Sequence, residues 1–148
     1  MSAPAFQIRQ LLPGDAESAS QLLAQLGYPT TAAPLEGRIR RASESSVEAV
    51  VAEHADGRLL GLASMHCLRL LTADSPLALL TSIVVEERSR GLGAGRRMVE
   101  HLCARAVELG CDRVAVTTHL RRSDAHTFYE RLGFEFTGRR YVRRLTAP

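Results

Sequence analysis

The spacing of apolar and polar positions predicts short strands and amphipathic helices in mixed order. The first half predicts a strand at Phe6–Leu11, a helix from Asp15 to Leu26, a helix after Pro34, a strand at Val47–Glu53 and a return strand at Arg58–Leu71. The second half predicts a strand at Leu77–Val85, a helix from Gly93 to Leu109, a strand at Arg113–Thr118, a helix from Ser123 or Asp124 to Leu132, and one or two terminal strands in Phe134–Leu145.

This order of elements predicts an α/β fold of mixed type. Antiparallel strands followed by a β-α-β crossover give a central mixed, largely antiparallel sheet with flanking helices. A chain of 148 residues fits one domain, so residues 1–148 are predicted to form a single domain.

Local signals support several of these boundaries. Asp15 can cap the first helix, and Gly27 supplies its stop. Asp56 and Gly57 have the sequence typical of a hairpin turn. The most apolar segment is Leu77–Val85, which predicts a central strand buried on both faces.

The charge of the chain is uneven, and its basic residues are all arginine. Residues 1–75 hold 6 Arg against 8 Asp and Glu, whereas residues 76–148 hold 13 Arg against 8, and the balances of −2 and +5 sum to +3. A basic C-terminal half suits an anionic ligand, and a solvated arginine-rich surface is the alternative. In the helix after Pro34, Leu35 and Ile39 are expected to face inward and Arg38 outward. The absence of lysine excludes lysine-based covalent catalysis.

The cysteines and the apolar runs exclude several classes of protein. Cys67, Cys103 and Cys111 are odd in number and form no Cys-x-x-Cys motif, so neither a disulfide framework nor a metal site is expected. No apolar run approaches the roughly 18–20 residues of a membrane span. The N-terminus has no secretory pattern, so a cytoplasmic location is expected.

A glycine-rich turn, Arg88–Gly95, lies between the apolar strand and the long helix. Glycines let backbone approach a ligand closely, and the free N–H groups of a helix's first turn attract anions. The dinucleotide-binding pattern Gly-x-Gly-x-x-Gly fails because Arg96 stands at its third glycine, and no Gly-Lys-Ser/Thr exists. The turn therefore predicts a phosphate site of another kind.

The arrangement of Arg88, Gly91 and Gly93 resembles the acetyl-CoA pyrophosphate loop of the GNAT superfamily of N-acetyltransferases. A second segment, Ser123–Phe134, resembles another GNAT signature, and its matching positions are Ala125, Phe128, Tyr129, Glu130, Gly133 and Phe134. Together the two signatures cover roughly residues 77–140.

The resemblance implies acetyl-CoA as co-substrate, without a metal. The residues it implies for binding acetyl-CoA are Ile83, Val84, Val85, Arg88, Arg90, Gly91, Leu92, Gly93, Ala94, Gly95, Arg96, Arg122 and Tyr129. Tyr129 matches the residue that protonates the departing thiolate, and a backbone N–H near Val84 or Val85 would stabilise the developing oxyanion. Where the family often has asparagine, this chain has Arg122, so that contact must differ.

The general base is an open question. Relatives often place a glutamate where this chain has Thr81 and Ser82. A symmetric Thr72–Pro76 turn would put His66 opposite Ser82, which makes His66 one candidate. His119 is the other candidate, and loss of the proton to water is the third route.

The predicted activity is transfer of an acetyl group to a primary amine of a small molecule by direct attack in a ternary complex. Tyr28 and Ser82 are the expected acceptor contacts. A peptide or protein amine, a non-catalytic CoA-binding sensor and a nucleic-acid-binding module are the alternatives. We expect no nucleic-acid or membrane partner, and a homodimer is possible.

Overall fold

The computed structural model describes residues 5–117 and 123–146. The strands are β1 (Phe6–Gln10), β2 (Val47–His54), β3 (Leu59–Leu68), β4 (Leu77–Val85) and β5 (Arg113–Val116). The helices are α1 (Ala16–Leu26), α2 (Ala32–Ser43), α3 (Ala94–Glu108) and α4 (Ser123–Arg131). Short 3₁₀ turns lie at Pro13–Asp15 and Glu87–Ser89.

The strands form one sheet in the order β1-β2-β3-β4-β5. The first three pairings are antiparallel, while β4 and β5 are parallel and joined through α3. This arrangement confirms the predicted mixed, largely antiparallel sheet. The chain packs as two compact units, of which the first ends at Val116 and the second begins at Thr117. A single domain stays a prediction.

Within the first unit, helices cover both faces of the sheet. One face packs against α1 and α2 through a core of Leu11, Ala16, Ala19, Leu22, Leu35, Ile39, Val51, Leu62 and Val84. The other face packs against α3, whose inner side is formed by Met98, Val99, Leu102 and Ala106. Alternation along β3 explains this division, since Leu62 faces the first core and its neighbour Gly61 faces Met98.

Gly61 is required because three elements meet there. A Cβ at this position would lie 2.8 Å from the carbonyl oxygen of Val84 and 2.8 Å from Cε of Met98. We expect Gly61→Ala to lower the free energy of unfolding by about 1–3 kcal/mol, because the β4 backbone cannot yield cheaply. Urea unfolding measures this loss. Gly14→Ala is the control, since a Cβ there meets nothing within 4 Å. Equal stability of the two variants would contradict the packing argument.

An arginine between two carboxylates joins the start of α1 to the sheet. Arg9 donates to both oxygens of Asp15, at 2.8 and 2.9 Å, and to Glu53, at 3.0 and 3.1 Å. These hydrogen bonds raise the pKa of Arg9 and hold the pKa of Asp15 and of Glu53 below their ordinary values. Asp15 stands at the N-cap of α1, but its carboxylate accepts the N–H of Leu12 instead of a helical N–H.

Removing the Asp15 carboxylate should destabilise the fold near neutral pH and much less in acid. A depressed native pKa stabilises the fold above the unfolded value near 3.9, and that contribution disappears as pH falls through the native value. We expect Asp15→Asn to cost about 1.5 kcal/mol at pH near 7 and less at pH near 3. Urea titrations at both pH values test this, with the exposed Asp74→Asn as control. A pH-independent loss would contradict it.

A β-bulge in β4 overturns the prediction that this strand is buried on both faces. Ser64 pairs with Ser82, but the next residue, Met65, pairs with Leu80, so Thr81 is an extra residue in β4. Thr81 is exposed, and its hydroxyl lies 2.9 Å from that of Ser64. The bulge exchanges the faces to which the residues before and after it point. Leu80, before the bulge, and Val84, after it, are both buried, on opposite faces of the sheet.

Two predicted boundaries differ from the structure by more than two residues, and one predicted element is not found among the described residues. Helix α2 begins at Ala32, before Pro34, because a proline in the first turn removes no helical hydrogen bond. Strand β3 ends at Leu68, and Leu71 is fully exposed in the loop that follows. No strand is assigned in the described residues 134–146, where every residue from 135 onward is exposed and the described chain offers no ladder partner.

The cysteines are free thiols in partly or fully buried positions. Burial raises the pKa of Cys103. Burial also raises the pKa of Cys67, and so does the neighbouring Cys111, whose sulfur lies 3.7 Å from that of Cys67. A raised pKa disfavours the thiolate, so Cys67 and Cys103 suit packing better than nucleophilic catalysis.

Candidate active site

The glycine turn has the geometry of an anion cradle. Gly91 and Gly93 both have positive φ, 85° and 86°, and open space where a Cβ would lie. Gly93 is the N-cap of α3, and Ala94 and Gly95 open the helix from buried positions. No acceptor within the described residues faces the N–H groups of this first turn, which therefore point their positive charge outward.

The arginines around the turn differ in how they are engaged. Arg88 and Arg90 are exposed, and the described residues place no carboxylate within ion-pair distance of either. Arg96 is paired with Glu100 one turn along α3, at 2.9 Å. Arg97 donates to the carbonyl of Phe6 and lies over its ring, which ties α3 to β1. Arg88 and Arg90 are thus the charges best placed to meet an anion.

Two side chains that the sequence analysis did not select hold the turn in place. Ser89 is 4% exposed, and its hydroxyl donates to Glu86 at 2.6 Å. The Glu87 N–H donates to the side-chain oxygen of Gln25, at the end of α1. Ser89 could have been noticed because it is the small residue beside Arg88. Gln25 had no local signal, because its contact crosses 62 positions.

The ladder between β4 and β5 is short and ends early. It joins Leu77–Leu80 to Arg113–Val116, and the described part of the chain gives β4 no parallel partner beyond Leu80. Among the described residues, the β5-side backbone edge of residues 81–85 has no ladder partner, and this segment leads directly into the glycine turn. This segment contains Ile83, Val84 and Val85, of which only Val84 is fully buried.

A cavity of about 230 Å³ lies between α2 and the sheet, on the α1 and α2 face. Its apolar wall includes Leu11, Leu23, Leu35, Ile39, Val47 and Leu62. Its polar lining comes from Gln10, Arg38, Ser43, Ser64 and Ser82. Since Ser82 lies two residues before Val84, the cavity reaches the segment of β4 that leads into the glycine turn.

The predicted pairing of His66 with Ser82 is wrong. His66 lies opposite Leu79, and Ser64 is the residue opposite Ser82. Leu68 pairs with Leu77, so the chain leaves β3 several residues earlier than a symmetric turn at Thr72–Pro76 would require. The bulge in β4 then shifts the register a second time. His66 shares the face of Ser64, two residues along β3, and does not line the cavity.

The other predicted residues fall in different places. Tyr28 follows α1 and is 68% exposed. Leu92 projects into solvent from the glycine turn. His119 and Arg122 lie outside the described residues.

Tyr129 lies in the second unit, on α4. It is 6% exposed, and its ring makes edge contacts with Phe128 at 5.2 Å and Phe134 at 5.5 Å. Helix α4 ends where Gly133 takes a positive φ and the Phe134 N–H donates to the Tyr129 carbonyl. The helix stop and the aromatic contacts hold the Tyr129 ring in place.

The comparison with known families identifies the class of protein to which this fold belongs, a family of acetyltransferases. The model of the Acetyltransferase (GNAT) family matches residues 17–134. The chain therefore belongs to the GNAT family of acetyltransferases, and it is an N-acetyltransferase.

The chain is 30% identical over 142 residues to aminoglycoside N(6')-acetyltransferase type 1 of Stenotrophomonas maltophilia, covering 94% of this chain and 92% of that protein. Its fold is similar to that of an acetyltransferase from Trypanosoma brucei, with a TM-score of 0.83, 25% identity, and 95% and 99% of the two chains covered. It is also similar in fold to AAC(6')-Iy, solved with a CoA-containing bisubstrate analogue, with a TM-score of 0.82, 22% identity, and 96% and 99% covered.

The described residues also bear on metal binding and on membrane spans. No group of three or more His, Cys, Asp or Glu in residues 5–117 and 123–146 could hold a metal ion. No helix in the same ranges has the length and apolarity to cross a membrane.

Proposed function

We propose that the chain transfers the acetyl group of acetyl-CoA to a primary amine of a small molecule, by direct attack within a ternary complex. The observation that carries this proposal is the anion cradle at Gly91–Gly95, next to the edge of β4 that has no ladder partner beyond Leu80 among the described residues. The relative named as an aminoglycoside acetyltransferase supports a small-molecule amine as acceptor. A homodimer stays a prediction.

The residues of the turn fit the pyrophosphate of CoA. Gly91 and Gly93 leave open space where side chains would otherwise project. The first-turn N–H groups of α3 and the exposed Arg88 and Arg90 supply donors and positive charge to that space. Arg96 contributes less, because Glu100 already neutralises it.

When bound, the co-substrate supplies an activated acetyl group as a thioester. In our proposal a backbone N–H of β4 near Val84 or Val85 donates to the carbonyl oxygen as negative charge develops there. The amine nitrogen forms its bond to the carbonyl carbon, and the carbon–sulfur bond breaks. The Tyr129 hydroxyl donates a proton to the departing thiolate, whose basicity is comparable to that of a phenol.

The proton lost by the amine needs an acceptor. Ser64 and Ser82 are the hydroxyls on the β3 and β4 strands at the cavity, and neither is a strong base. His66 is on the same sheet face, but it lies opposite Leu79, two residues along β3 from the Ser64 that pairs with Ser82. We therefore propose that the amine loses its proton to water, with His119 as the remaining side-chain candidate.

A calorimetric titration with acetyl-CoA, followed by an amine panel monitored through thiol release, tests the proposal. We expect saturable binding by the protein alone and amine-dependent release of CoA. Binding without turnover on any amine would favour the non-catalytic sensor. A well-folded protein that does not bind acetyl-CoA at millimolar concentration would overturn the proposal.

A further inference from the structure

We infer that the acceptor is a small primary amine carrying an apolar group and a carboxylate, with the carboxylate bound by Arg38. This inference rests on the proposed function and concerns the cavity between α2 and the sheet. The amine would lie toward Ser82, on the segment of β4 that leads into the glycine turn, and the apolar group would fill the cavity.

The charge of the cavity carries the first step. Among the described residues that line it, none is acidic, and Arg38 is the only charged one. Arg38 donates to the Thr30 hydroxyl at 2.9 Å, and the described chain offers it no carboxylate within ion-pair distance. Its guanidinium therefore keeps donors available, in the fork geometry that matches a carboxylate.

Two nearby arginines differ from Arg38 because each is paired with a carboxylate. Arg40, two residues along α2, is paired with Glu36 at 2.7 Å and does not line the cavity. Arg9, next to the cavity residue Gln10, is held by Asp15 and Glu53. Of these three arginines, only Arg38 both borders the cavity and lacks a carboxylate partner.

The size and wall of the cavity carry the second step. Apolar protein cavities of about 150 Å³ accommodate a benzene ring, whereas sites for drug-sized ligands occupy roughly 300–1,000 Å³. At about 230 Å³, with a mostly apolar wall, this cavity suits a phenyl or branched alkyl group. A polycationic amino sugar would bring several charges to a cavity whose described lining has no acidic residue and one arginine of the same charge.

Phenylalanine and phenethylamine form a matched pair of probes, because they differ only in the carboxylate. We expect phenylalanine to bind the CoA-saturated protein roughly 10- to 100-fold more tightly than phenethylamine, measured by calorimetry, and to have the higher kcat/KM. Arg38→Gln should remove this preference by weakening phenylalanine alone. Arg40→Gln is the control and should leave both ligands unchanged.

The two readouts separate failure of this inference from failure of the proposed function. Carboxylate-dependent binding that Arg38→Gln abolishes would support the inference even if no amine were acetylated, and only the proposed catalysis would then fail. Acetylation of kanamycin or phenethylamine in preference to phenylalanine would overturn the inference and leave the transferase intact. Equal weakening of both probes by Arg38→Gln would also overturn it, since the arginine would then act only through packing.

Discussion

Replacing Gly93 with valine should weaken acetyl-CoA binding by about 100-fold or more, which corresponds to about 2.7 kcal/mol. Two effects act together. Gly93 has φ of 86° at the N-cap of α3, a conformation that β-branched residues strongly disfavour. The new side chain would also project into the open space in front of the first-turn N–H groups, where we place the pyrophosphate. Calorimetric titration with acetyl-CoA measures the loss.

Gly110 provides a matched control near the other end of the same helix. It has the same φ of 86°, and a Cβ there also meets nothing within 4 Å. Gly110→Val should therefore carry a similar conformational cost, roughly 1–2 kcal/mol or more, while acetyl-CoA binding stays intact. If both variants lost binding equally, the Gly93 effect would be one of stability, and the assignment of the cradle would fail.

Replacing Tyr129 with phenylalanine should lower kcat by roughly 100- to 1,000-fold with little change in acetyl-CoA affinity. The ring contacts with Phe128 and Phe134 are kept by phenylalanine, so the packing around α4 should survive. Only the hydroxyl is lost, and with it the proposed proton donor to the thiolate. Steady-state kinetics and a binding titration on the same preparation give the two quantities.

Tyr141→Phe is the control for this experiment, since Tyr141 belongs to the same unit and its side chain is almost fully exposed. Its kcat should match that of the unmodified chain. An unchanged kcat in Tyr129→Phe would assign the proton to water or another group. A large loss of acetyl-CoA affinity would instead make Tyr129 a binding residue.

The position and conformation of the glycine turn could be predicted because they depend on residues close together in the chain. Gly91 and Gly93 stand at positions where the turn needs positive φ, and Gly27 and Gly133 likewise end helices with positive φ. Apolar periodicity also located β1, β2, β4 and α3 to within a residue or two. Such signals depend on backbone preferences over a few residues, so they can be read directly from the chain.

The register of β3 and β4 was not predictable in the same way. The error that put His66 opposite Ser82 came from assuming a symmetric loop and a regular ladder. The bulge at Thr81 has no residue signature that sets it apart from an ordinary threonine in a strand. It arises from how two strands fit between helices on opposite faces, and a single extra residue changes every pairing beyond it.

By itself, the sequence determined the order of elements, the mixed sheet, the glycine cradle and the family signatures, since each depends on residues near one another in the chain. Only the tertiary structure decided that Ser64 faces Ser82 and that Gln25 supports the turn. It also decided that Arg38, which the helix pattern directs outward, borders an apolar cavity and has no acidic partner among the described residues. The reason is that these relations depend on packing between distant segments, where small differences in register and helix placement decide which side chains meet.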